Sequence, residues 1–232
     1  MQIKKNLQLI KNKIAESAKS AGRNPEDIKL LVVTKTHSAE IVDLALQAGA
    51  EYIGENKIQE SETKLPQLTE EYKEFHFIGH LQSNKIKKLM PLQPSLIHSI
   101  DKLSTAKKLN NYLVQSGKTQ NILIQVNTSN EESKFGIEPE QLEDFLKEIS
   151  ELKNLQVKGL MTIGLTSTEE TEVRKGFQKL KRLFELHQEN SYSNIEMKYL
   201  SMGMTNDFKI AIEEGANIIR IGSAIFGTRI YT

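Results

Sequence analysis

From Lys29 onwards, short β-branched apolar runs alternate with longer amphipathic stretches, and this alternation constrains the fold more than any other feature. Such a pattern is typical of βα units built around a parallel sheet. The apolar runs occupy residues 30–35, 51–56, 75–80, 96–101, 121–128, 157–164, 199–203 and 218–226. Eight parallel strands close a barrel, so the sequence predicts an α/β fold, a single (β/α)8 barrel.

The stretches between the runs carry apolar residues at helical spacing. They predict helices over residues 39–48, 104–116, 140–152, 170–187 and 206–214. Asp101 is the N-cap candidate for the helix over 104–116. Three glycines lie where left-handed C-caps are expected, namely Gly49, Gly117 and Gly215. An extra N-terminal helix is predicted from the apolar face formed by Ile3, Leu7, Ile10 and Ile14. No linker rich in Pro, Gly or Ser interrupts the pattern, so we expect one domain over residues 1–232.

Charge and composition exclude several classes of function. The 31 basic and 30 acidic residues leave a net charge of +1, which gives no overall field to attract nucleic acid or an anionic membrane. The basic cluster at 85–88 has no adjacent aromatic residue and is interpreted as a solvated helix face. No run approaches the roughly 20 apolar residues that span a bilayer, and the N-terminus lacks a signal-peptide core. The absence of cysteine fits a cytoplasmic protein, and the five histidines lack the spacing of metal ligands.

Polar or glycine residues stand at the C-terminal ends of the predicted strands. They are Lys35, Asn56, His80, Asp101, Asn127, Gly164, Ser201 and Arg220. In (β/α)8 barrels this end holds the active site, because the strand ends and βα loops converge there. The sequence therefore predicts a site at this face.

Lys35 is the candidate nucleophile of that site. Four apolar residues, 30–33, precede it, and an apolar wall lowers the pKa of an ammonium group and frees its lone pair for attack on a carbonyl. The alternative is a solvent-facing lysine at a strand end, since most lysines are exposed.

The last strand offers a candidate phosphate site at Gly222 and Ser223. Backbone N–H groups there, the Ser223 hydroxyl, and Ser201 with Gly203 from the preceding strand would surround an anion. Phosphate sites in such barrels follow strands seven and eight, where these residues fall. The alternative is an ordinary Gly-Ser turn.

Arg220 is a guanidinium in an otherwise apolar run, so its burial requires an acceptor. If that acceptor were a pyridine nitrogen, Arg220 would leave the nitrogen unprotonated and weaken the ring as an electron sink. The alternative is an ion pair with a nearby carboxylate.

The sequence resembles the pyridoxal phosphate homeostasis proteins, which share the barrel of the alanine racemase N-terminal domain. The matching stretches follow one another along nearly the whole chain. They are LLVVTKTH around Lys35, GENKIQE at 54–60, FHFIGHLQSNK at 75–85, SKFGI at 133–137, GLMTI at 159–163, LSMGMTND at 200–207 and RIGSAIFG at 220–227.

This resemblance implies pyridoxal 5'-phosphate (PLP) bound as a Schiff base on Lys35. It also implies phosphate contacts from Ser201, Gly222 and Ser223, with Arg220 facing the pyridine nitrogen and Asn56 near the ring. Members of the family look like PLP carriers or regulators of vitamin B6 and amino-acid balance, without strong turnover. The implied partners are PLP and apo-PLP enzymes as recipients, and the default expectation is a monomer.

Two positions bear on how far the resemblance extends. Many bacterial relatives have a second lysine two residues after the Schiff-base lysine, whereas this chain has His37, so a role for that lysine is not carried over. Lys134 does match a lysine of the relatives, with a loop charge as its alternative interpretation.

Two enzyme classes are the alternatives. A PLP-dependent amino-acid racemase needs an acid/base on each face of its substrate, and barrel racemases take the second, a tyrosine, from a separate β domain. After Ile230 only Tyr231 and Thr232 remain, so we expect no such domain here. A Schiff-base aldolase or phosphosugar enzyme would use the same barrel and amine without a cofactor, and the motifs rank it last.

Overall fold

Eight parallel strands form a closed barrel in the computed structural model, which describes residues 2–129, 135–165, 167 and 169–227. The strands pair in chain order, and β8 pairs with β1. Their bounds are β1 Lys29–Val33, β2 Tyr52–Glu55, β3 Glu74–Phe77, β4 Leu96–Ile100, β5 Gln120–Gln125, β6 Leu155–Met161, β7 Ile195–Ser201 and β8 Ile218–Ile221. The predicted (β/α)8 barrel is confirmed.

Helices surround the barrel, and an additional helix precedes β1 as predicted. Their bounds are α1 Gln2–Ser20, α2 Ala39–Gln47, α3 Ile58–Lys64, α4 Ile86–Leu89, α5 Leu103–Ser116, α6 Leu142–Ser150, α7 Glu170–Leu186, α8 Phe208–Glu213 and α9 Ser223–Phe226. The sequence did not predict α3, α4 or α9, which are four to seven residues long and show little helical period. The six-residue α8 was predicted only because it lies within a longer amphipathic stretch, 206–214. In the part of the chain that the structure describes, no helix is long and apolar enough to span a bilayer.

Five strands, β1, β3, β5, β6 and β7, end two or three residues earlier than predicted. Two other local predictions are wrong. The run 218–226 was predicted as one strand, but β8 ends at Ile221 and α9 begins two residues later. A buried apolar run has the same pattern in either structure, and Gly222 at the junction breaks the strand conformation. Asp101 does not cap α5, because the cap position is Lys102. The predicted C-cap glycines do have positive φ angles, as at Gly117 with φ 62°.

Residues on each strand alternate between two apolar clusters. The larger cluster lies between the barrel and the helices, and includes the pair Phe75 and Phe77 on β3. The smaller cluster is formed by the residues that alternate with these along each strand and point to the opposite face, and it fills the barrel interior. It consists of Leu31, Leu96, Leu123, Met161 and Ile218, with Tyr52, Ile78 and Tyr199 packed against it. Polar residues that alternate in step with this smaller cluster therefore also point into the barrel.

Candidate functional site

A cavity of about 520 Å³ opens at the C-terminal end of the barrel. The structure brings together four of the six predicted site residues in its wall, namely Lys35, Arg220, Gly222 and Ser223. The β7–α8 loop supplies more of the lining through Thr205, Asn206 and Asp207. These three were not predicted as site residues, although their sequence lay within the family motif at 200–207.

Lys35 lies in a turn just beyond β1, which ends two residues earlier than predicted. The next residue, Thr36, has a left-handed backbone with φ 68°, an uncommon conformation for a β-branched residue. Its N–H donates to the Glu60 carboxylate on α3. On the other side of Lys35, the Thr34 carbonyl accepts a 2.8 Å hydrogen bond from Lys64 Nζ. Both peptide flanks of Lys35 are thus anchored to α3.

The anchor is a buried ion pair under the turn. Lys64 Nζ lies 2.6 Å from Glu55 Oε1 and 2.7 Å from Glu60 Oε1, and the Glu55 side chain is 0% exposed. The Thr34 hydroxyl donates to the same Glu55 oxygen at 2.6 Å. Burial raises the pKa of Glu55, and its bonds to Lys64 and Thr34 oppose that shift. The turn that carries Lys35 rests on this network.

Arg220 projects from β8 toward the cavity and is almost fully buried. Its NH1 group donates to Ser201 Oγ at 2.7 Å and its NH2 group to the Thr162 carbonyl at 2.8 Å. Burial lowers its pKa to about 10, against the opposing charge of Asp207, so the guanidinium stays cationic at neutral pH. No carboxylate of the described residues forms an ion pair with it, which speaks against the structural alternative raised by the sequence.

Ser201 and Asn56 lie outside the set of residues that line the cavity. Ser201 is fully buried beneath the guanidinium, where it contacts Arg220 and His98, so its phosphate contact stays a prediction. Asn56 follows β2 directly, and its buried Oδ1 has no hydrogen-bond partner. The Asn56 carbonyl packs so closely on Gly79 that an added Cβ there would lie 2.0 Å from it.

Two of the three predicted phosphate residues, Gly222 and Ser223, lie at the start of α9. The first N–H groups of a helix have no acceptor within the helix. Ser223 Oγ donates to Thr205 Oγ1 at 3.1 Å, so two hydroxyls of neighbouring segments meet in the cavity wall. A Cβ on Gly222 would lie 3.0 Å from the Val33 carbonyl, so a larger residue would push this segment away from β1. The arrangement can offer hydroxyl and amide donors to an anion.

His37 stands two residues after Lys35 and also lines the cavity. Its ring stacks on Phe226 at a centroid distance of 4.2 Å. Lys134 and Ser133, which belong to a family motif, lie outside the described residues. Among the described residues, no group of three or more His, Cys, Asp or Glu side chains could hold a metal ion.

Comparison with known proteins agrees with the fold. Residues 2–230 match the family model of the alanine racemase N-terminal domain. The pyridoxal phosphate homeostasis protein of Aquifex aeolicus is 40% identical, over 97% of both chains. That of Haemophilus influenzae is 38% identical, over 100% of this chain and 98% of the relative.

This chain belongs to the pyridoxal phosphate homeostasis protein family. A solved protein of Bifidobacterium adolescentis resembles it with a TM-score of 0.91 and 35% identity, over 97% of this chain and 94% of that one. PipY of Synechococcus elongatus, solved with PLP bound, has a TM-score of 0.78 and 31% identity, over 92% of this chain and all of PipY. The alanine racemase of Clostridium difficile shares the fold at 17% identity, and the match covers 57% of that chain.

Proposed function

We propose that this member of the pyridoxal phosphate homeostasis family binds PLP as a Schiff base on Lys35. Its role is in intracellular PLP and amino-acid homeostasis, without strong catalytic turnover. The observation that carries this proposal is that Lys35, Arg220, Gly222 and Ser223 all line one cavity of about 520 Å³. Relatives with the homeostasis name and a PLP-bound relative, PipY, support the same function.

The donors in the cavity fit the chemistry of PLP. An amine suits its aldehyde, a cationic donor that cannot lose its proton suits the ring nitrogen, and hydroxyl and amide donors suit the phosphate. The volume lies within the range of small-molecule sites. Asn56 is proposed to lie beside the ring, and Ser201 is proposed to contribute to the phosphate end.

The residues explain binding better than catalysis. When bound, PLP supplies an electron-withdrawing ring, and a cationic Arg220 beside its nitrogen would keep that nitrogen unprotonated, which weakens carbanion chemistry. A racemase also needs a second acid/base across the cofactor. Among the described residues that line the cavity there is no tyrosine, the residue that barrel racemases use there. Racemase activity remains the alternative, because the alanine racemase of C. difficile has this barrel.

Borohydride reduction followed by peptide mass mapping tests the proposal. After incubation with PLP, we expect a pyridoxyl adduct on Lys35, its loss in Lys35→Ala and its retention in Lys57→Ala, which removes a nearby exposed lysine. Amino-acid racemisation is assayed on the same samples and should be negligible. No adduct on Lys35 would refute PLP attachment and favour a phosphosugar barrel, whereas an adduct with rapid racemisation would establish the racemase.

The same proposal includes a cytoplasmic monomer that gives PLP to apo-enzymes. Light scattering of the purified chain tests the monomer, and a stable dimer at working concentration would contradict it. Transfer of PLP is tested by mixing the PLP-loaded chain with an apo-PLP enzyme in the presence of a trap that captures free PLP. Activation that the trap does not slow would support direct delivery, and activation that the trap abolishes would contradict it.

A further inference from the structure

A continuous line of hydrogen bonds crosses the barrel interior and ends at Arg220. Glu74 Oε2 lies 2.7 Å from His76 Nε2, and His76 Nδ1 lies 2.9 Å from His98 Nε2. His98 Nδ1 lies 3.0 Å from Ser201 Oγ, which accepts from Arg220 NH1 at 2.7 Å. We call these five residues the barrel relay. It joins the start of β3, at the N-terminal end of the barrel, to the cavity at the other end.

The middle of the relay is shielded from water. His76 is 1% exposed and His98 is 0% exposed. His76 lies between Phe75 and Phe77, which pack toward the helices, so its own ring points into the barrel. Two buried imidazoles in contact are costly unless both are satisfied, and here each ring nitrogen has a partner.

The charges at both ends of the relay are defined. Lys29 Nζ donates hydrogen bonds to both carboxylate oxygens of Glu74, at 2.7 Å and 2.8 Å. The hydrogen bond from His76, together with Lys29, lowers the pKa of Glu74 to about 2, so it is a carboxylate at neutral pH. Burial lowers the pKa of His76 and that of His98, so both rings are neutral. Arg220 is cationic at the other end.

These end groups leave one arrangement of the protons. A carboxylate only accepts, so His76 donates from Nε2 and must accept at Nδ1. His98 therefore donates from Nε2 and accepts at Nδ1. The Ser201 hydroxyl gives its only proton to His98, and its oxygen accepts from Arg220, which only donates. Each bond determines the direction of the next.

We propose that the barrel relay is a positioning device, in which the Glu74 carboxylate sets the tautomers of His76 and His98 and thereby presents Ser201 to Arg220 as a pure acceptor. Arg220 is then held by Ser201 and by the Thr162 carbonyl, and the edge of its guanidinium that faces the cavity keeps a fixed direction. The consequence for PLP rests on the proposed function, but the proton arrangement does not. His76 and His98 act through Arg220 and do not touch the cofactor.

Nitrogen NMR of isotope-labelled histidine in the full chain without PLP tests the arrangement directly. We expect both His76 and His98 to be neutral Nε2–H tautomers at neutral pH. An Nδ1–H tautomer for either ring, or a ring that is protonated at neutral pH, would overturn the relay. This measurement needs no variant, so it tests the proton arrangement even if the variants described below do not fold.

A charge swap tests the direction of control. In Lys29→Glu/Glu74→Lys the ion pair is kept, but the group beside His76 Nε2 becomes an ammonium that only donates. Both rings should then switch together to Nδ1–H, and His98 should donate to Ser201 in competition with Arg220. The guanidinium N–H signals of Arg220 should shift, and PLP affinity should fall about tenfold, as expected for weakening one hydrogen bond to a charged group.

The matched control is Lys158→Glu/Glu196→Lys, which swaps an ion pair of 2.8 Å between β6 and β7 outside the relay. In this control the tautomers of His76 and His98, the N–H signals of Arg220 and the PLP affinity should match those of the parent chain. If both rings keep their tautomers in the Lys29/Glu74 swap, the proposal that Glu74 sets those tautomers is overturned. Rings that switch without any change at Arg220 would overturn the positioning role. Failure of the parent chain to bind PLP would count against the proposed function alone, since the histidine and arginine signals are read without cofactor.

Discussion

Replacement of Lys64 by methionine tests the network under the Lys35 turn. In the folded chain Lys64 Nζ donates to the Thr34 carbonyl at 2.8 Å, to Glu55 at 2.6 Å and to Glu60 at 2.7 Å. Lys64→Met keeps the apolar stem and removes all three bonds. Glu55, which is 0% exposed, would keep only the Thr34 hydroxyl, because its Oε2 atom already has no partner.

The expected loss is about 3–5 kcal/mol of unfolding free energy, the usual result of leaving one charge of a buried pair uncompensated. The loss should depend on pH. The pKa of Glu55 is already raised by burial, and removal of the cation raises it further. A raised folded-state pKa of an acid makes unfolding easier as pH increases, so the loss should be larger at about pH 8 than at about pH 5.

Urea unfolding followed by circular dichroism at both pH values measures this effect. Glu55→Gln/Lys64→Met removes both charges and should recover part of the loss, whereas Lys57→Met, an exposed lysine beside α3, should stay within about 0.5 kcal/mol of the parent. A loss below about 1 kcal/mol at pH 8, or a double variant no more stable than Lys64→Met, would refute this reasoning. PLP affinity should fall with the loss of the anchor, because Lys64 holds the carbonyl that precedes Lys35.

Three other predictions concern the site and its supports. Because the hydrogen bond from His76, together with Lys29, lowers the pKa of Glu74 to about 2, this carboxylate stabilises the fold above its ordinary pKa near 4.5 and loses that effect as pH falls toward 2. Urea titrations across this range should show a shallower acid decline for Glu74→Gln than for the parent, and equal slopes would contradict the assignment. Gly203→Ala should cost at least about 2 kcal/mol, because φ is 92° and the new Cβ would lie 2.5 Å from that of Ala211; an unchanged melting temperature would refute the close contact. His37→Ala should cost about 1 kcal/mol through the stack on Phe226 in urea unfolding, and no loss would show that the stack contributes nothing.

The sequence determined the barrel and four residues of the cavity wall. Alternation of apolar runs and amphipathic stretches is a local property, and eight such runs have few ways to bury their apolar faces other than a closed parallel barrel. The polar ends of the runs then indicated which end of the barrel holds the site. Lys35 and Arg220 were identified as charged residues at the ends of predicted strands, and Gly222 and Ser223 as a small pair on the last strand, where phosphate sites of such barrels lie.

Only the tertiary structure decided which side chains meet inside the barrel. His76 and His98 each stand in an apolar strand, and alternation could have indicated that both face inward. Their contact with each other and with Ser201 depends on the register and curvature of strands far apart in sequence, which a local pattern does not encode. For the same reason the pairing of Glu55 with Lys64 and the depth of Ser201 beneath Arg220 could not be predicted. Hydrogen bonds between residues distant in sequence depend on how the strands pack in three dimensions. The alternation of apolar residues that favours each strand is instead a property of the local sequence.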